Sequence, residues 1–132
     1  MSRLPVRLCL VLNFLACIAG CSSHLRVTDI QLGRSVNADS SIANPTASFT
    51  PHDTIYLSVS TAGVGSGTIS VRWKYEDRVV DEPKRKVSYR DLAATDFSLK
   101  SVAGFPPGEY TAEVFLDDQP VGTKTFRVAA GR

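Results

Sequence analysis

Apolar and polar residues alternate with a period of two along most of the chain beyond residue 24. In "TISVRWKYED", Ile69, Val71, Trp73 and Tyr75 alternate with Ser70, Arg72 and Lys74, the spacing of a strand with one face buried and the other in water. Ile55, Leu57 and Val59 of "TIYLSVST" form a matching face, as do Tyr110, Ala112, Val114 and Leu116 of "EYTAEVFLDD". No window sustains a helical period, and turn residues bound the runs at short intervals. The pattern predicts strands over 25–32, 54–61, 68–77, 79–89, 95–102, 109–117 and 121–128. Seven short strands predict an all-β, antiparallel sandwich of two packed sheets. The stretch between Leu32 and Phe49, rich in Ser, Asn, Ala and Gly, reads as a long connection. "AGVGSGT" lets the second strand cross to the third with little steric restriction. Asp117, Asp118, Gln119 and Pro120 predict a tight hairpin, with Asp118 where a glycine would take positive φ more easily.

The first twenty-one residues follow a different pattern. Arg3 and Arg7 precede an apolar run over 8–19 broken only by Asn13. That length suits the core of a signal peptide and falls short of the roughly 20 apolar residues of a membrane span. Ile18, Ala19 and Gly20 then lead into Cys21. This resembles the lipobox of bacterial lipoproteins, in which an aliphatic and two small residues precede an acylated cysteine. The resemblance implies cleavage between Gly20 and Cys21, a diacylglycerol on the Cys21 sulfur, and a further acyl chain on its amine. Ser22, rather than Asp, follows the cysteine, which by the same resemblance implies export to the outer membrane of a Gram-negative envelope, facing the periplasm. The expected organisation is a signal peptide over 1–20, a lipidated tether over 21–24, a sandwich over 25–129 and a short tail over 130–132. An extended tether of three residues spans on the order of 10 Å, so the domain is expected to ride close to the membrane.

"FPPGEY" places Pro107 and Gly108 in a turn just before Tyr110. This resembles the tyrosine corner of immunoglobulin-like and fibronectin-type sandwiches, where a tyrosine hydroxyl reaches back to a nearby backbone group. Trp73 on the third strand extends the likeness. The intersheet cysteine pair of antibody domains is missing, so Trp73 and its aliphatic neighbours are expected to fill that centre alone. "FTPHDTIYLSVST", "VRWKYED" and "PPGEYTAEVFLDDQPVGTKTFRV" are together similar to small uncharacterised bacterial lipoproteins with one seven-stranded, fibronectin type III-like domain. The resemblance implies a fold and a location, and no activity.

Charge and cysteine content narrow the function. Arg3 and Arg7 account for the whole formal charge of +2: from Cys21 onward thirteen basic residues face thirteen acidic ones. A field that holds nucleic acid through its phosphates is therefore not expected. Cys9, Cys17 and Cys21 all precede the domain, which leaves no disulfide framework.

His24 and His52 lack the spacing of a metal site, and "TPHDT" reads as a turn. Ser58, Ser60, Ser70 and Thr111 occupy positions expected to face solvent, and no nucleophile elbow accompanies them. "AGVGSG" lacks the Lys-Ser/Thr ending of a phosphate loop. Asp81 with Glu82 are neighbours that point to opposite faces of a strand, and calcium at Asp117 and Asp118 is a weak alternative. No catalytic residue, metal or cofactor is expected. The candidate interaction residues are a basic cluster, Lys84, Arg85, Lys86 and Arg90, and two aromatics of off-core parity, Tyr56 and Phe115. The cluster reads as a charged edge strand that discourages aggregation, or as a contact for anionic lipid or an envelope polyanion. Tyr56 and Phe115 would form a protein-binding patch if they lay together. The expected function is a non-enzymatic envelope lipoprotein that binds or supports another envelope component. The alternative is a small enzyme, or a carbohydrate- or metal-binding module, on the sandwich loops, and a third is an accessory whose open sheet edge accepts a partner strand.

Overall fold

A computed structural model describes residues 24–131; the predicted signal peptide, its cleavage site and Cys21 lie outside the described residues. Among the described residues nine strands form two sheets: β1(Arg26–Gly33), β2(Ser48–Phe49), β3(Ile55–Ala62), β4(Gly65–Tyr75), β5(Arg78–Asp81), β6(Lys84–Tyr89), β7(Ala93–Leu99), β8(Gly108–Leu116) and β9(Gln119–Val128). One sheet runs β1-β3-β7. The other runs β2-β9-β8-β4-β5, with β6 also paired to β4. This is the two-sheet sandwich that the alternation predicts, in the immunoglobulin-like form that the resemblance implies.

The core is the inward face of each alternating strand. Ile55, Leu57 and Val59 from the smaller sheet meet Ile69, Val71, Trp73, Ala112 and Val114 from the larger, all fully buried. Trp73 packs edge-on against Phe126, and Phe126 stacks on Tyr110 with centroids 5.3 Å apart. Aromatic contacts thus fill the centre that a disulfide occupies in antibody domains.

Several boundaries differ from the sequence reading, each for a local reason. The predicted strand over 79–89 is interrupted at Glu82 and Pro83. Both halves pair antiparallel with β4, β5 opposite Trp73 to Tyr75 and β6 opposite Gly65 to Ser70. Pro83 has no N–H for the ladder but its carbonyl still accepts from Val71 N at 3.1 Å, so the edge strand kinks and continues. The glycine-rich crossing is also shorter than predicted, because Gly65, Ser66 and Gly67 already belong to β4. In the last hairpin only Asp117 and Asp118 form the turn, at φ 52° and 68°, while Gln119 and Pro120 open β9. Asp117 accepts from Thr68 N at 2.9 Å and donates its own N–H to Thr68 O at 2.8 Å. These bonds to β4 hold a left-handed turn without glycine.

Residues 34–47 form more than a connection. Bridges pair Gly33 with Pro45 and Val36 with Ile42, so the segment folds back on itself. The Ser40 hydroxyl donates to Asp96 Oδ1 on β7 at 2.6 Å, which carries the segment across the outer face of the three-stranded sheet. Ser58, in register with Asp96, is only 3 % exposed in consequence. Ser70, in register with Phe115 and Lys84, is buried on the larger sheet. The expectation that Ser58 and Ser70 face solvent therefore fails, and Ser60 and Thr111 are half-buried. The "TPHD" turn forms as read: Thr50 N donates to Asp53 Oδ2 at 2.7 Å and Arg34 Nε to the same oxygen at 3.0 Å. Partial burial works against the Asp53 charge, but the Thr50 amide and the Arg34 guanidinium outweigh it and hold the carboxyl below its usual range.

Register fixes what lies at each end of the sandwich. Arg26 pairs with Ala62, Thr61 with Ala93 and Gly65 with Tyr89. The point where β1 begins therefore shares one end with Val64, Arg90 to Leu92 and the Asp117–Asp118 turn. At the other end Ile55 pairs with Leu99 and Tyr75 with Tyr110, beside Lys100 and the proline turn at Pro106 and Pro107.

Candidate functional site

The tyrosine corner closes as expected. The Tyr110 hydroxyl donates to Pro106 O at 2.6 Å, four residues back, and the Tyr75 hydroxyl donates to Pro107 O at 3.0 Å. The two rings lie 4.6 Å apart, and Phe105 meets Tyr110 edge-on. Gly108 makes the corner possible. Its φ of 142° disfavours a side chain, and a Cβ there would lie 3.1 Å from the Tyr75 ring. Burial, with smaller contributions from Tyr75 and the Glu76 carboxylate, pushes the Tyr110 phenol up to about 12.

These rings floor a cleft of about 320 Å³ at that end of the molecule, between the β5 edge of one sheet and the end of β7 in the other. Leu99 and Val80 complete its apolar lining, and Arg78 and Lys100 stand at its rim. Both cations are exposed, and neither side chain has a hydrogen-bond or ion-pair partner among the described residues. All of β5 is exposed, and its sequence Arg-Val-Val-Asp leaves Val79 and Val80 about half accessible. Among the described residues only β4 pairs with β5, so its outer edge offers free backbone groups.

The cleft ends where β6 takes over. Arg85, Val87 and Tyr89 turn toward β7: Arg85 Nη1 donates to Asp96 O at 2.8 Å with its guanidinium over the Phe97 ring, and the Tyr89 hydroxyl bonds Thr95 Oγ1 at 2.7 Å. Side chains thus close this flank near β6 and leave it open near β5.

The same alternation divides the basic cluster. Arg85 is committed to β7, while Lys84 and Lys86 point outward on the edge strand and Arg90 lies in the loop beyond it. Arg85→Ala is expected to lower stability by about 1–2 kcal/mol, because it removes a bond to a backbone carbonyl and the cover of an aromatic ring. Lys84→Ala and Lys86→Ala should each change it by less than about 0.5 kcal/mol. Chemical unfolding of the three variants tests the division.

Tyr56 and Phe115 do not come together. Tyr56 is half-buried on the outer face of the three-stranded sheet, in register with Gly33 and Ser98. Phe115 is on the outer face of the other sheet beneath the Arg72 guanidinium, 4.7 Å from its centroid, in a lattice where Arg72 bonds Glu82 and Glu113 and Lys74 also bonds Glu113. Strand parity sent both rings outward, but the outer faces of the two sheets point in opposite directions.

Residue-level reading missed the cleft. Its one signal was "RVVD", where two adjacent valines break the alternation of an otherwise charged edge. Among the described residues no three His, Cys, Asp or Glu side chains converge on a point that would hold a metal ion.

No known protein family matches the sequence, and no curated protein does. Solved structures match in fold. An immunoglobulin-like protein from Pseudomonas aeruginosa superposes with a TM-score of 0.55 at 13% identity, over 83% of this chain and 99% of that one. Part of a β-glucosidase from Listeria innocua, solved with glucose, gives 0.51 at 12% identity over 80% of this chain. Part of an alkylpurine DNA glycosylase from Pseudomonas fluorescens, bound to DNA containing an abasic site analogue, gives 0.51 at 10% identity over 80% of this chain. This chain spans 16% of the glucosidase and 30% of the glycosylase. The likeness is one of fold.

Proposed function

We propose that this chain is a lipid-anchored, non-enzymatic lipoprotein of the bacterial envelope whose immunoglobulin-like domain holds another envelope component. The cleft between β5 and β7 carries the reading: an apolar, aromatic-floored recess with two unpartnered cations at its rim is a surface that a ligand completes. The anchor rests on the lipobox-like run ending at Cys21 and on the short distance from it to Arg26.

Anchor and cleft then occupy opposite ends of the sandwich. The strands span roughly 25–30 Å at 3.3 Å per residue, so the cleft points away from the bilayer, toward the space where a partner approaches. The end that faces the lipid bears Val64 and Leu92, the latter 77 % exposed.

The anchor is tested by metabolic labelling with palmitate followed by membrane fractionation. Each buried methylene is worth about 0.8 kcal/mol, so two or three chains hold durably where one does not. The wild-type chain is expected to take up label and sediment with membranes, and Cys21→Ala to lose both label and sedimentation. A Cys21→Ala chain that still sediments with membranes would contradict the anchor.

A further inference from the structure

We infer that the β5 edge and the cleft beside it bind an extended, acidic peptide segment, which adds to the sheet as a strand and places an apolar side chain over Tyr75 and Phe105. The inference names the partner chemistry of the cleft proposed above as a binding face, and it holds independently of the lipid anchor.

Three observations combine. First, the middle of β5 is a lightly guarded edge, two valines between Arg78 and Asp81. It carries no lysine and no proline within Arg78–Asp81, and Val79 and Val80 are 52 % and 50 % exposed. Exposed, apolar edge strands invite pairing, and proteins ordinarily blunt them. The contrast with β6 is internal to the molecule: there Lys84 and Lys86 guard the edge, and Arg85 and Tyr89 tie it to β7. Second, the gap between β5 and β7 is apolar where an added strand would project alternate side chains. Val80, Leu99, Phe105 and the Tyr75 and Tyr110 rings line it. Main-chain pairing with a pocket for every second side chain is the usual logic of strand addition.

Third, the rim selects charge. Arg78 and Lys100 flank the opening without partners, whereas the other cations near β4 and β5, Arg72 and Lys74, are held by Glu82 and Glu113. Glu76 and Asp77 stand on the adjoining turn, and Asp81 ends the strand. The favourable position for an acidic side chain is therefore between Arg78 and Lys100 rather than along the whole edge.

The test uses the full chain in detergent micelles, where anchoring plays no part, and a fluorescent eight-residue peptide alternating valine and aspartate. Binding is read by anisotropy and by amide shifts. The peptide is expected to bind, to perturb the amides of Arg78 to Asp81, and to weaken about fivefold with Arg78→Glu and again with Lys100→Glu, while the unfolding midpoint stays unchanged. A peptide with lysine for aspartate, and one with proline at alternate positions, are expected to bind at least about tenfold more weakly. Three outcomes would overturn the inference: no binding, binding insensitive to both reversals, or saturation by dodecyl phosphate without movement of the β5 amides, which would mark the cleft as a site for a small amphiphilic anion. Loss of peptide binding with palmitate labelling intact would refute the inference and leave the anchor standing.

Discussion

Trp73→Ala is expected to destabilise the domain by about 3–5 kcal/mol, a drop of roughly 15 °C or more in the unfolding midpoint for a domain of this size. The indole is fully buried in the middle of β4, edge-on to Phe126, with the smaller sheet's Leu57 and Val59 in the same cluster. Truncation there removes contacts to both sheets and leaves a cavity that paired strands cannot close. The ring nitrogen refines the expectation. Trp73 Nε1 has no hydrogen-bond partner among the described residues, so the ring contributes through packing, with a buried donor as a counterweight. Trp73→Phe, which deletes that donor and keeps most of the apolar area, should therefore cost less than half as much as Trp73→Ala. Calorimetry of the two variants decides it. Equal losses would show that the nitrogen makes a bond that matters.

Tyr110→Phe carries the second large effect. Its hydroxyl donates to Pro106 O at 2.6 Å, and the residue is 2 % exposed within its ring stack. Removing it strands the carbonyl at the turn and is expected to cost about 1–3 kcal/mol. The same residue sets an alkaline limit. Burial raises the phenol from 10.0 to about 12, so the folded chain keeps a proton that the unfolded chain releases. That contribution is fully present below about pH 10 and is lost as pH rises from 10 toward 12, by up to about 2–3 kcal/mol. Wild type should lose stability across that window more steeply than Tyr110→Phe, and the two unfolding curves should converge near pH 12. Parallel curves would show that the hydroxyl is not the titrating group.

Period-two alternation made most of the sandwich legible, because on a strand the choice of face is a local property. Trp73, Tyr110 and the aliphatic residues between them are inward for the reason their spacing gives. The proline turn before Tyr110 was equally readable, since Pro106 and Pro107 fix φ and Gly108 supplies the positive φ that follows them. What local pattern cannot carry is which sheet a strand joins. Tyr56 and Phe115 were each placed outward correctly, yet β3 and β8 belong to different sheets, so the two rings face opposite ways. Ser58 shows the same limit. Its burial depends on residues 34–47, a stretch without periodicity whose path is set by bonds such as that from Ser40 to Asp96.

The cleft was hidden for a related reason. Arg78 and Lys100 are far apart in sequence and meet only because β5 and β7 edge the two sheets on the same flank. The basic cluster, by contrast, was conspicuous in sequence and is divided in the fold, with Arg85 consumed by the closure of that flank. Charge density along a chain is a poor guide to charge at a site, because alternation sends neighbouring cations to different faces.

In the proposed arrangement the domain is fastened at one end, with its open cleft at the other. The chain from Cys21 onward has no other cysteine, so a label can be placed at single sites, Leu92→Cys at the tether end and Lys100→Cys at the cleft. Fluorescence quenching by a headgroup-bound acceptor, in vesicles carrying the acylated protein, measures the height of each. Strong quenching is expected at residue 92 and weak quenching at residue 100, which lies roughly 25 Å farther along the strand direction. Equal heights, a reversed order, or no quenching at either position would contradict it.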